Sequence, residues 1–519
     1  MSETEPQAPQ PQQKAMNRQL VVVGAILIQL CLGAIYAWSV FTPPLKAKRP
    51  GEIAGVYGAS QLGLGDAKFQ AMNADLHAPQ GKLKEVSAKI KGTTDEVQLA
   101  ALNTEKSALT ASVDGIVSKY VAKEKLDELA YGFSNAETQA IFAAGLATFA
   151  IVMVLAGRLM PKLGPRKLAI AGGVVLGLGY VLAGLVGGRS FGAIFALVGI
   201  VGGAGIGLGY VVPIAVGVKW FPDKKGLITG LAVAGFGFGA LIWVKLAGTW
   251  GQLIANVGLG NTFVIYGIAF LLACVVGSIW MTNPPEGWKP AGWTPPAPKA
   301  GKTALGSLDF TSGQMLAKPQ FYMIFLCFVF GAGAGLMSIG LMKAFPMKAM
   351  MAGGMDWKSA SAAAGTAIAV FFSLANGIGR IAWGALSDKL GRKLSIIIMM
   401  AVQGVVVILF QWMAGTPALL FLGATLIGFN FGGNFALFPT ITADTFGSKH
   451  LAQNYGWVFL SYGVGGIFGP MLGGKLGDLG NFPLAFTICG VLVLAAAGII
   501  AMVKPPRAAP APVPEPSDA

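Results

Sequence analysis

Apolar runs of about 20 residues recur along the chain between shorter polar stretches, and each is long enough to cross a ~30 Å hydrocarbon core as a helix. Twelve such helices are expected, over 20–42, 136–159, 168–187, 191–217, 226–248, 262–282, 320–342, 361–386, 394–413, 417–440, 453–474 and 483–503. An even count returns both chain ends to one side of the membrane. Two long polar segments break the rhythm. Residues 283–319, with NPPEGWKPAGWTPPAPKAGK, read as a Pro-rich cytoplasmic linker that divides the helices six and six. Residues 45–134 have near-balanced charge, with Leu83, Val86 and Ile90 and then Leu109, Val113, Ile116, Val117 and Tyr120 at the spacing of an amphipathic helical pair outside the membrane. The expected organisation is a disordered cytoplasmic tail rich in Pro, Gln and Glu (1–17), a first six-helix bundle (18–282) with an extracytoplasmic insert at about 45–134, the linker (283–319), a second bundle (320–504) and a second disordered tail (505–519).

Composition agrees with that pattern. The chain of 519 residues is 54% hydrophobic and 12% charged, about half the charged share of an ordinary soluble domain, too little to cover a water-facing surface. Its 74 glycines are roughly double the usual ~7% share and fall inside the apolar runs, as in GGAGIGLGY (Gly202–Tyr210) and GFGFGA (Gly235–Ala240). Small residues let membrane helices approach closely. These runs lack the Lys-Ser or Lys-Thr of a phosphate loop.

The formal charge of +15 is a matter of orientation. Arg158, Lys162, Arg166 and Lys167, then Lys219, Lys224 and Lys225, then Lys389, Arg392 and Lys393 all fall in loops on the face shared with the termini. Positive charge marks the cytoplasmic side, so the expectation is a multi-pass inner-membrane protein with both termini cytoplasmic and no nucleic-acid partner. Lys46, Lys48, Arg49, Lys343, Lys348 and Lys358 lie on the opposite face and oppose this bias. Cys31, Cys274, Cys327 and Cys489 sit in apolar runs without metal-ligand spacing, and His77 and His450 are far apart in polar loops. No catalytic residues, metal site or cofactor is expected, and the chain does not read as an enzyme.

The two halves resemble each other. GRLMPKLGPRK (Gly157–Lys167) aligns without a gap on GALSDKLGRK (Gly384–Lys393), sharing Gly, Leu, Lys, Leu and Gly. A six-helix internal repeat is the organisation of many secondary transporters, which hold substrate near the midplane between the halves. GALSDKLGRK also matches in full the loop signature of the major facilitator superfamily, and the first copy matches it with Pro161 in place of the aspartate. Gly157, Gly164, Gly384, Asp388, Gly391 and Arg392 are the gating-loop candidates that this resemblance implies. More narrowly, GAIYAWSVFTPPL (Gly33–Leu45), GLGYVVP (Gly207–Pro213), KWFPDKKGLITGLAVAGFGFGA (Lys219–Ala240) and NYGWVFLSYGVGGIFGP (Asn454–Pro470) resemble the oxalate/formate antiporter family, itself similar to the monocarboxylate transporters. The implied fold is all-α, with twelve transmembrane helices in two pseudo-symmetric six-helix bundles.

Arg380 is an arginine inside an apolar run, a functional candidate by its position alone. In the resembled families an arginine four residues before the loop-signature glycine binds the substrate carboxylate, and Arg380 stands four residues before Gly384. A planar guanidinium suits a carboxylate through two parallel hydrogen bonds. The structural alternative is a side chain that snorkels, because Arg380 lies six residues, roughly 9 Å, from the expected cytoplasmic end of its helix. Asn376, one turn away, either orients the guanidinium or joins helices. By resemblance, Tyr36, Tyr210, Asn430, Asn434 and Tyr462 line the substrate cavity; interface anchoring and helix–helix hydrogen bonding are the alternatives. Lys245, between Trp243 and Trp250, reads as a snorkelling side chain.

Oxalate-transporting members carry a second cation, a lysine, where this sequence has Tyr462. One cation suits one carboxylate, since a second carboxylate would be desolvated without a partner. The expected function is secondary transport of small organic monocarboxylates of lactate, pyruvate, formate or acetate size by alternating access. Oxalate or dicarboxylate/formate exchange is the alternative, and a membrane sensor using the insert is an alternative of another class. The helical core contains no carboxylate to carry a proton, so proton symport and anion exchange both stay open.

Overall fold

The computed structural model describes residues 16–93, 95–248, 250–294, 309–504 and 506. The expected tails (1–15 and beyond 506) and the linker stretch 295–308 lie outside the described residues. Eleven described helices are long and apolar enough to span a membrane: α1 Arg18–Val40, α2 Ala136–Leu163, α3 Pro165–Val186, α4 Phe191–Trp220, α5 Lys225–Ala247, α6 Leu253–Ser278, α7 Pro319–Leu341, α8 Ser359–Leu390, α9 Arg392–Met413, α10 Pro417–Phe446 and α12 Phe482–Met502. Between the last two runs α11, Leu451–Asp478, a 28-residue helix. Gln453, Asn454, Ser461, Tyr462 and frequent glycine dilute its apolar run, which sets it apart from the other eleven.

The repeat is visible in the backbone. α2 passes to α3 through Gly164 (φ 79°), and α8 to α9 through Gly391 (φ 87°). Each glycine N–H donates back into the last helical turn, to Met160 O at 2.9 Å and to Ser387 O at 3.0 Å. A side chain at that φ would be strained, so glycine at both motif positions makes the same sharp reversal.

Within each half, small residues bring helices into backbone contact. A Cβ on Gly177 of α3 would lie 2.7 Å from Gly267 O of α6, and one on Gly267 would lie 2.5 Å from Gly177 O. The halves meet where α2 packs on α11 and α5 on α8. Both seams rest on motif glycines near the face that bears the chain ends, called here the terminal face. A Cβ on Gly157 would stand 2.4 Å from Ala452 O, and one on Gly384 would stand 2.3 Å from Gly226 O.

Between α1 and α2, helices Asp66–Gly92 and Glu96–Tyr120 pack on each other. Tyr120 donates to Asp75 at 2.6 Å. The neck of this insert closes where Gly132 N–H and Phe133 N–H donate to Ala47 O (3.1 Å) and Leu45 O (2.8 Å). Gly58 N–H and the Gln61 amide then donate to Ala255 O (2.9 Å) and Asn256 O (3.1 Å), which ties the insert to the start of α6 in the first half.

Candidate functional site

α8 runs to Leu390, so ten residues, roughly 15 Å, separate Arg380 from its end, against six expected. A π-helical stretch, Ala367–Phe372, precedes the arginine. Arg380 is 0% exposed, and it is the one charged side chain among the described residues that is buried. Depth therefore rules out the snorkelling geometry. Its Nε donates to Asn376 Oδ1 at 3.1 Å, and its Nη1 donates across the seam to Val233 O of α5 at 2.8 Å. The guanidinium carbon lies 4.3 Å from the Phe435 ring centroid and 6.0 Å from that of Phe236. The remaining nitrogen, Nη2, is buried without a hydrogen-bond partner.

Tyr36, Tyr210, Tyr455 and Tyr462 are all within electrostatic reach of this guanidinium. Phe236 meets Tyr36 and Tyr210 edge-on, with centroids 5.2 Å apart in both pairs. Phe459 packs against Tyr210 (5.3 Å), Tyr455 (5.8 Å) and Tyr462 (5.2 Å). The Tyr36 and Tyr462 hydroxyls hydrogen-bond to each other, joining α1 of one half to α11 of the other. The Tyr210 and Tyr455 hydroxyls, like Arg380 Nη2, are buried and unpaired. Buried polar atoms are normally satisfied, and these three share one aromatic cage in which a polar guest can complete them.

The structure thus gathers Arg380, Asn376, Tyr36, Tyr210 and Tyr462 at one place. Asn430 and Asn434 are turned elsewhere. Asn430 accepts from Trp383 Nε1 (3.1 Å) and donates to Leu426 O (2.9 Å), linking α10 to α8. Asn434 donates to Phe431 O (3.1 Å), and its Oδ1 lies toward Gly331 of α7, buried without a partner. Tyr455 was not singled out from the sequence. The available signal was its spacing, seven residues or two turns before Tyr462 on one helix face.

On the terminal face, the two Asp388 oxygens accept from Gly226 N–H (2.9 Å) and Leu227 N–H (2.8 Å) in the first turn of α5. Arg392 pairs with Asp388 and, through Nε at 3.1 Å, with Asp444, which also takes Lys225 at 2.9 Å. In the first half Pro161 holds the place of Asp388, and the α2–α11 seam is packed at Gly157 against Ala452 O and at Gly456 against Met153 O, with Arg158 over the Trp457 ring.

Two six-helix halves around a buried cation, latched on one face, are the anatomy of a secondary transporter. The family model of the Major Facilitator Superfamily matches residues 110–355 and 344–519. The chain belongs to that superfamily. It is 33% identical over 339 residues to the uncharacterised MFS-type transporter YhjX of Escherichia coli K12, covering 64% of this chain and 77% of that one. It is 28% identical over 376 residues to the oxalate:formate antiporter of Oxalobacter formigenes, covering 72% and 84%. Its fold is similar to the crystal structure of the human organic anion transporter MFSD10, with a TM-score of 0.57 at 13% identity, covering 93% of this chain and all (100%) of that one.

Proposed function

We propose that this transporter moves small organic monocarboxylates by alternating access, with Arg380 as the ligand of the carboxylate. The observation that carries the reading is the guanidinium nitrogen Nη2, buried without a partner in a cage that holds no Asp or Glu. A lone buried cation is costly and an anion relieves that cost. Asn376 and Val233 O hold the guanidinium plane, and Phe435 covers one side of it, so the free N–H group is aimed before the anion arrives.

The Tyr36–Tyr462 hydrogen bond bridges the halves on one side of the arginine, and the Asp388–α5 latch bridges them toward the terminal face. Breaking one while the other holds opens the site to one side at a time. The basic loops support a cytoplasmic terminal face in an inner-membrane protein, with the insert outside. No Asp or Glu is buried among the described residues, so a proton crossing with the anion travels on the substrate itself, and anion exchange needs no proton carrier at all.

Uptake by the purified protein in liposomes, against a panel of mono- and dicarboxylates with and without a pH gradient, tests this reading. Saturable uptake of a three-carbon or smaller monocarboxylate supports it. Selective oxalate uptake supports dicarboxylate/formate exchange, the second reading, which the similarity to the oxalate:formate antiporter favours. Tyr462 speaks against that second reading, because a neutral hydroxyl cannot neutralise a second carboxylate.

A further inference from the structure

We infer that Tyr455, working with Tyr210, touches the substrate and selects a carboxylate bearing a neutral oxo or hydroxy oxygen on the adjacent carbon. The inference rests on the reading of Arg380 as carboxylate ligand and names the substrate class more narrowly. Tyr455 is 0% exposed and Tyr210 1%, and neither hydroxyl has a hydrogen-bond partner. Their rings are already held by Phe459, which phenylalanine at either position would contact equally well. The two hydroxyls therefore add nothing to the packing and leave two polar groups desolvated, which is unfavourable unless a guest completes them.

The chemistry of the guest follows from what the cage offers. Arg380 contributes the unpaired N–H groups of Nη2, and the two phenols contribute neutral groups that both donate and accept. A second carboxylate would find no second cation there, whereas a ketone or hydroxyl oxygen is matched without any buried excess charge. Position agrees with this. α11 ascends from the terminal face, so Tyr455 lies two turns, about 10 Å, below Tyr462 on the terminal side of the cage. The Tyr36 and Tyr462 hydroxyls pair with each other, whereas the hydroxyls of Tyr210 and Tyr455 have no partner.

Propionate, lactate and pyruvate share a three-carbon frame and differ in that one oxygen, which makes them the probes. In competition uptake with the full-length protein in liposomes, pyruvate or lactate should outcompete propionate in the wild type. Tyr455→Phe should lower that preference ratio about fivefold, the worth of one hydrogen bond to a neutral group. Tyr210→Phe provides a second variant, expected to lower the same ratio, and ligand-induced thermal stabilisation in detergent gives the ratio if either variant reconstitutes poorly. A wild type indifferent to the oxygen, or unchanged ratios in both variants, overturns the inference while leaving Arg380 as carboxylate ligand. If none of the three binds and Arg380→Lys alters nothing, the underlying reading of Arg380 falls instead.

Discussion

Asp388 of the second half accepts the backbone N–H of Gly226 of the first at 2.9 Å, so a side chain on α8 caps a helix to which it has no covalent tie within 160 residues. The open N–H groups and partial positive charge of a helix start favour a carboxylate there. Arg392, four residues on, holds the same carboxylate in place.

Asp388→Asn should weaken this latch, because the amide loses the charge that both the α5 dipole and Arg392 use. A loss of about 1 kcal/mol, roughly a fivefold shift toward a terminal face that opens, is expected. Maleimide labelling of Gln453→Cys, placed on that face beside the α2–α11 seam, should accelerate in the Asp388→Asn background. Equal labelling rates would show that the cap does not hold the halves together.

Glycine positions at the seam and away from it should differ sharply. A Cβ on Gly384 would stand 2.3 Å from Gly226 O, whereas one on Gly474 meets nothing within 4 Å. Gly384→Ala should destabilise the latched state by about 1–3 kcal/mol through overpacking. Gly474→Ala should melt like the wild type or slightly higher. Thermal unfolding in detergent separates the two, and equal melting temperatures would contradict the packing described.

Arg380→Lys should preserve expression and melting behaviour yet lose at least about tenfold in uptake. An ammonium is a point charge and cannot donate to Val233 O, Asn376 and an anion in the fixed fork of a guanidinium. Full uptake by the variant would remove Arg380 from the binding role.

Tyr462→Lys should shift preference toward oxalate or malonate by at least ~1.4 kcal/mol, about tenfold. The new ammonium supplies a partner for a second carboxylate, and it stands unpaired when a monocarboxylate binds. Competition assays on a folded variant decide this. An unchanged ratio would support dicarboxylate/formate exchange in the wild type.

Replacing residues 51–130 by a short linker should leave uptake intact, because the neck pairing of Leu45 and Ala47 with Phe133 and Gly132 lies outside the deletion. The deletion frees Ala255 O and Asn256 O at the start of α6, so a melting temperature lower by a few degrees is expected. Lost uptake in a well-inserted deletion variant would give the insert a part in transport.

Much of the architecture is written in the chain, because a membrane requires each spanning segment to satisfy its own backbone with ~20 apolar residues. That local requirement exposes the helices, and the repeated loop motif exposes the relation of the halves, down to Gly164 and Gly391 at matching places in it. It also makes Arg380 conspicuous, since a charge in an apolar run stands out without any knowledge of its neighbours. Partners across the seam are another matter. A helix that is apolar all round does not announce which face meets lipid and which meets another helix, so tyrosines and asparagines look alike in sequence. Only the packing of α11 and α4 around Phe459 turned Tyr455 and Tyr210 toward the guanidinium, and only the crossing of α8 with α10 gave Asn430 to Trp383. The Asp388 cap on α5 was likewise invisible, because its acceptor lies 162 and 161 residues from its donors at Gly226 and Leu227 and meets them only when the two halves close.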